Sequence, residues 1–353
     1  MLGTPPNVRS HQTFGDILIN YHWLEKVRNY QRELALNNGL ARTVFDAGNN
    51  HIVQEIFASA PADMMVVRIS GTEEFDMDLQ LKREKDAITE YLPEGKMIMT
   101  GQIIDPEQPN RGPAGAHMKF AALARVENKG GSISKTENGL SFKKVNELVI
   151  YLTAATNYDP EKLDLSDSTD PLANCRNIML ESDRLSFDQI REEHINDHSA
   201  MFNRVSFSLG DDSMQNITTD ERLENIKNGT VDNGLVTTNF QYGRYLLMGS
   251  SREPGVLPAN LQGVWNEHFD APWNADFHTN INLQINYWPA EVCNLGETSL
   301  VLTGFMEKLV KPATITARSM YGADGWTFHH LTDPLGRTGV ADRRKRDHTG
   351  VDT

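Results

Sequence analysis

The rhythm of apolar and polar positions changes about halfway along the chain. Over roughly the first 155 residues, short runs alternate with a period near two. That is the repeat of a strand with one buried face. Ile17-Leu18-Ile19 follows Gly15-Asp16. Asn37-Asn38-Gly39 separates Glu33-Leu34-Ala35-Leu36 from Ala41-Arg42-Thr43-Val44-Phe45, and Gly48-Asn49-Asn50 precedes a run from His51 to Phe57. Asn-Gly and Gly-Asn tolerate the positive φ that tight hairpins need. Further strands are predicted over residues 64–69, 97–104, 118–126, 132–135 and 147–154. Many short strands at close spacing predict an antiparallel β-sandwich, filling residues 1–180.

The period then lengthens. Leu185, Phe187, Ile190, Ile195 and Met201 recur among charges over residues 183–203, the pattern of an amphipathic linker helix. Arg204-Val205-Ser206-Phe207-Ser208-Leu209 alternates again and predicts one strand returning to the sandwich, within a linker region of residues 181–230. Helices are predicted over residues 233–248, 282–292 and 300–320, with Pro312 kinking or breaking the last. A loop rich in Gly, Pro and Asn runs over residues 249–274.

Charge narrows the function. The 353 residues carry 34 Lys+Arg against 48 Asp+Glu, a net charge of −14. Such a chain is a poor ligand for nucleic acid or anionic membrane, so neither is an expected partner. No run of about 18 apolar residues exists to span a bilayer. The two cysteines, Cys175 and Cys293, are too few for a disulfide framework or a four-ligand zinc site. The first residues lack the basic and apolar regions of a signal peptide.

Candidate chemistry concentrates in residues 257–295. This segment holds three of the five tryptophans (Trp265, Trp273, Trp288), seven asparagines and two glutamines, and no lysine or arginine. Aromatic faces beside neutral amides suit a neutral sugar: rings stack on C–H faces, and amides donate to and accept from hydroxyls. The alternative is a polar loop whose tryptophans fill a core. His278, Asn280 and Asn282 fall at i, i+2 and i+4. On an extended segment they would share one face and could hold a hydroxyl or a water. One of the asparagines could instead cap the following helix.

Longer motifs add a resemblance. Gln241-Tyr242-Gly243-Arg244-Tyr245-Leu246-Leu247, Ser250-Ser251-Arg252, Pro254-Gly255, the run from Leu257 to Asn266, Asn280-Ile281-Asn282, and the run from Asn286 to Glu291 resemble glycoside hydrolase family 95, the inverting α-L-fucosidases. Gln12-Thr13-Phe14-Gly15-Asp16 and Arg204-Val205 with Leu209-Gly210 are similar to its sandwich. The resemblance covers roughly residues 11–340. It implies a β-sandwich, a helical linker and an (α/α)6 catalytic barrel starting here over residues 231–341. It also implies a fucosylated oligosaccharide substrate with terminal fucose α1,2-linked to galactose, no cofactor, no metal, and export of full-length members. His278 would contact the sugar, and Asn280 and Asn282 would activate the attacking water. Trp265, Asn266 and Trp273 would line the pocket.

Inversion needs two carboxyl groups about 6.5–9.5 Å apart. The family's Ser-Pro-Glu acid motif does not occur in this sequence, and its base aspartate lies further downstream. At about 11–12 residues per helix, the residues after Val231 accommodate four or five helices of the barrel's twelve. The expectation is therefore a fragment truncated at both ends, with a divergent tail over residues 342–353. Glu267, Asp270, Asp276, Glu291, Asp324 and Asp333 are expected in salt bridges, and no resident carboxylate is assigned as the acid. His329-His330 lacks a third metal ligand. Two other activities remain open at this stage: a catalytically silent sugar-binding segment, and a phosphorylase of similar architecture.

Overall fold

The computed structural model describes residues 7–22, 26–108, 111–210 and 213–341. The tail over residues 342–353 lies outside them. Ten strands form one antiparallel sheet: β1 (Asp16–Tyr21), β2 (Val27–Ala35), β3 (Leu40–Ala47), β4 (Asn50–Ser59), β5 (Met64–Lys82), β6 (Ala87–Leu92), β7 (Lys96–Asp105), β8 (Gly115–Lys129), β9 (Ser132–Lys135) and β10 (Leu140–Thr156). The order is β2-β3-β4-β5-β10-β8-β7-β6, with β1 on β5 and β9 on β10. The two turns read from the sequence are present, with Gly39 at φ +68° and Gly48 at φ +63°.

Alternation divides the strand residues between two cores. Val67, Ile69, Met77, Leu79 and Leu81 of β5 join Leu148 and Ile150 of β10 and Ala122, Ala124 and Val126 of β8 in one cluster. Phe45, Tyr91, Met97 and Met99 belong to the same cluster, so β3 on one side of the sheet and β6 and β7 on the other share one core. The intervening positions Val66, Val149, Tyr151, Ala121 and Leu123 face the other way. There α1 (Pro171–Ser182) and α2 (Phe187–Phe202) cover them with Cys175, Met179 and Ile190. The pairing of β5 with β10 shifts register between Phe142 and Glu147, an irregularity of the kind that bends long strands.

The sequence did not predict α1, which straddles the boundary drawn at residue 180 between sandwich and linker. Asp170 caps it by accepting from Leu172 N, and Pro171 occupies its first turn. Ser186 and Gln189 form a capping box on α2. Two further expectations are corrected. Residues 204–209 form no strand: Gln241 donates to the Val205 carbonyl (3.0 Å), Asn233 donates to that of Leu209 (3.2 Å), and Phe207 packs on Phe240. Side chains thus supply what a ladder would have. The last helix also continues through Pro312 rather than breaking there.

The helical half comprises α3 (Thr219–Lys227), α4 (Asn233–Ser250), α5 (Asn282–Val292) and α6 (Gly296–Tyr321). Among the described residues only α4, α5 and α6 follow Val231, fewer than the four or five expected. Their core joins Leu247 and Met248 of α4, Leu283 and Tyr287 of α5, and Phe305 and Leu309 of α6 to Met201 and Phe202 at the end of α2. Arg244 ties these elements together. Only 2% exposed, it donates to the carbonyls of Phe202 (2.7 Å), Met201 (3.3 Å) and Cys293 (3.2 Å), and stacks on Phe202. Those carbonyls end α2 and α5, where helical acceptors lack intrahelical donors and the dipole favours a cation.

Candidate functional site

The connection from α4 to α5 carries the candidate site, and much of its motif sequence holds the connection in shape. Ser251 Oγ donates to Thr298 O (3.0 Å) and accepts from the Tyr287 hydroxyl (2.6 Å), which itself accepts from Ala259 N (2.9 Å). Asn260 Oδ1 accepts from Gln262 N (2.7 Å), and Asn286 donates to Asn260 O (3.2 Å). Arg252 pairs with Asp197 of α2.

The segment leading into β1 straps this loop from outside. His11 N donates to Asn274 O (2.9 Å), Thr13 N to His268 O (3.0 Å), and Ala271 N to Ser10 Oγ (2.8 Å). Asn266 belongs to the strap: its amide donates to His11 O (3.1 Å) and His268 O (2.8 Å), and its oxygen accepts from His268 N (3.1 Å). Both its polar ends are spent on loop backbone, which does not favour the pocket-wall role expected for it. Beneath the strap, Arg83 donates to the Thr13 carbonyl and to Gln12, and lies between the rings of Phe120 and Phe269 at 4.8 and 4.7 Å.

The tryptophans of this segment lie at the surface. Trp265 is 49% exposed, Trp273 58% and Trp288 65%, so these tryptophans are not core residues. Gly263, at φ +67°, makes room for the Trp265 ring; a Cβ there would lie 2.5 Å from a ring carbon. Trp273 sits in the 3₁₀ turn Pro272–Ala275, where Trp273, Asn274 and Ala275 all have positive φ. Left-handed backbone costs about 1–2 kcal/mol per non-glycine residue, a cost the strap offsets. The turn sets the Trp273 ring edge-on to His278, centroids 6.0 Å apart.

A short ladder, β13 (Phe277–His278) on β14 (Leu331–Thr332), anchors the next residues. It follows the small pair β11 (Tyr158–Asp159) and β12 (Asp164–Leu165) in chain order. His278, Asn280 and Asn282 do not share one strand face as expected. His278 is buried in β13, Asn280 lies in a turn, and Asn282 is the first residue of α5. The capping alternative fails too, because Ile281 holds the cap position and no side chain caps the helix. Both amides are exposed, and neither has a hydrogen-bond partner among the described residues.

Below them lies a buried polar cluster that sequence reasoning largely missed. Asp276, 1% exposed, pairs with His278 Nδ1 through Oδ1. Asp333 accepts from Leu335 N and Arg337 N, both at 3.1 Å. Burial, with the charge of Asp276 adding, raises its carboxyl above the usual range against the opposing pull of Arg337. Arg337 donates to the carbonyls of Gly339 and Val340, both at 2.9 Å. Burial lowers the His11 imidazole. His329 bonds Thr338 O (2.8 Å) and the Tyr321 hydroxyl (2.7 Å), so both ring nitrogens are occupied. Of the other carboxylates, Asp270 meets Arg111 at 3.4 Å, while Glu267 and Glu291 are exposed. No metal-ligating cluster occurs among the described residues.

Residues 186–350 match the glycosyl hydrolase family 95 catalytic domain, and residues 1–161 match a glycosyl hydrolase family 65 N-terminal domain. The chain is thus similar to glycosyl hydrolase family 95. The chain is 30% identical to alpha-L-fucosidase 2 of Arabidopsis thaliana, over 95% of its own length and 42% of that protein's. It is 29% identical to a probable alpha-fucosidase A of Aspergillus oryzae, over 94% and 46%. It thus spans less than half the length of these curated relatives. A putative kojibiose phosphorylase from human microbiome shares the fold, with a TM-score of 0.57 at 12% identity, over 96% of this chain and 45% of that one. No helix among the described residues is long and apolar enough to cross a membrane.

Proposed function

We propose that this chain forms the sugar-binding, water-positioning part of an inverting exo-α-L-fucosidase. The substrate is a glycan with terminal fucose α1,2-linked to galactose. The observation that carries this reading is the pair Asn280 and Asn282, exposed and without partners beside His278 at the start of α5. Folding leaves their amides idle, so they are available to orient a water or a hydroxyl. Trp265 and Trp273 supply stacking faces, and His278 a polar contact. The names of the relatives agree with this substrate class. We assign neither catalytic carboxyl to a residue of this chain.

In the same reading, the sheet of residues 1–180 is a β-sandwich, residues 181–230 a linker, and residues 231–341 the opening of an (α/α)6 barrel. The enzyme works outside the cytoplasm.

The test is turnover of 2′-fucosyllactose by the full gene product. Asn280→Ala and Asn282→Ala should each lower it by roughly 10²–10⁴-fold, with unfolding midpoints unchanged. Wild-type turnover in both variants would refute the assignment. L-Fucose binding without any turnover would favour a silent sugar-binding segment. Product formation that depends on inorganic phosphate would favour a phosphorylase.

A further inference from the structure

Asp276 leaves the left-handed turn and enters β13 with its side chain sealed from solvent. One carboxylate oxygen meets His278 Nδ1, and the other is buried without a hydrogen-bond partner. A buried acceptor left open is costly, so a carboxyl group at this position calls for a reason beyond packing. His278 supplies one. Its Nε2 has no partner among the described residues, while its ring lies between Trp273, at 6.0 Å, and His330, at 6.5 Å.

A carboxylate accepts and does not donate, so the shared hydrogen belongs to Nδ1. In a neutral imidazole, the other nitrogen then carries a lone pair. We propose that Asp276 is a positioning residue that holds His278 in its Nδ1–H tautomer, making Nε2 a hydrogen-bond acceptor for a sugar hydroxyl. This rests on the sugar-binding reading above and sharpens its substrate class. An acceptor welcomes a hydroxyl, which donates, and disfavours a carboxylate oxygen, which cannot. The site therefore favours neutral, hydroxyl-bearing ligands over carboxylate-bearing ones.

The tautomer can be read without any sugar. Long-range ¹H–¹⁵N correlation spectra of the histidine-labelled chain at neutral pH should show His278 Nδ1 as pyrrole-like and Nε2 as pyridine-like. Asp276→Asn should move the ring toward the Nε2–H form and weaken L-fucose binding about tenfold. In a His278→Ala background, the same change should have no further effect on binding. A pyrrole-like Nε2 in the wild type would overturn the proposal, as would an equal loss of binding in the His278→Ala background. Should Asp276→Asn not fold, the wild-type spectrum still decides. Failure of the wild type to bind L-fucose would count against the sugar-binding reading, while the spectrum would separately decide the tautomer.

Discussion

The sheet and the helices solve the burial problem to different degrees. The sheet is covered on both sides: one set of alternating residues lies in a core shared by strands from β3 across to β6, and the other lies under α1 and α2. The later helices bury one stripe around Phe305, Leu309 and Tyr287 and leave another open. Val292 is 84% exposed, Leu300 70% and Ile315 63%. The exposed asparagines and tryptophans of the candidate site belong to this less covered half. Apolar burial is roughly proportional to stabilisation, so the sheet should dominate the stability of the chain, while the candidate site lies in the less covered half.

The largest expected effect lies in the sheet. Phe142 is fully buried in its core, and Phe142→Ala should cost about 3–5 kcal/mol in chemical unfolding. A loss below about 1 kcal/mol would mean that the sheet does not dominate. Arg244→Met comes next. It removes the donor for three helix-end carbonyls and should cost about 3 kcal/mol. Amide exchange should quicken at the end of α2 and in α4 while sheet amides stay protected. Equal quickening in the sheet would show that the halves unfold as one unit.

The seam between the halves should be sensitive to acid. His194 stacks on Phe57 at 4.8 Å and faces Gly39 of the β2–β3 turn, where a Cβ would come within 3.0 Å of the imidazoles of both His194 and His198. Burial first, and then the charge of His198, lower the His194 pKa to about 4; Asp197 opposes this. Arg252 further disfavours charge on His198. The unfolded chain takes up this proton near 6.5, so stability present above that pH is lost as pH falls toward 4, on the order of 2–3 kcal/mol. His194→Phe should flatten that slope; an unchanged slope would assign it to other groups. The smallest effect belongs to the open helix face. Leu300→Ser should change stability by less than about 0.5 kcal/mol yet reduce self-association in sedimentation. Unchanged association would mean that this face is not sticky.

Much of the sheet was legible because alternation and Asn-Gly turns are local signals. Two strand segments were not picked up although they alternate: Met77, Leu79 and Leu81 in the second half of β5, and the residues of β6. Residues 204–209 show the opposite failure, alternation without a ladder, because side chains of α4 took up the backbone instead. Pro312 failed as a helix breaker because α6 continues through it. At the site, the i, i+2 spacing of Asp276 and His278 was a visible signal of their pairing. No local signal pointed to His11, whose carbonyl meets Asn266 across 255 positions of sequence.

The sequence by itself determined the strand and helix classes, the acidic charge, the family 95 motifs and the short list of residues able to handle a neutral sugar. It could not sort that list, because motif residues that hold a loop and those that hold a ligand have the same chemistry. Asn266 and Asn280 are both exposed-loop amides on paper. Tertiary structure gives every hydrogen bond of the first to backbone and none to the second. Which polar groups remain free is decided by partners far away in sequence, and only folding brings those partners within reach.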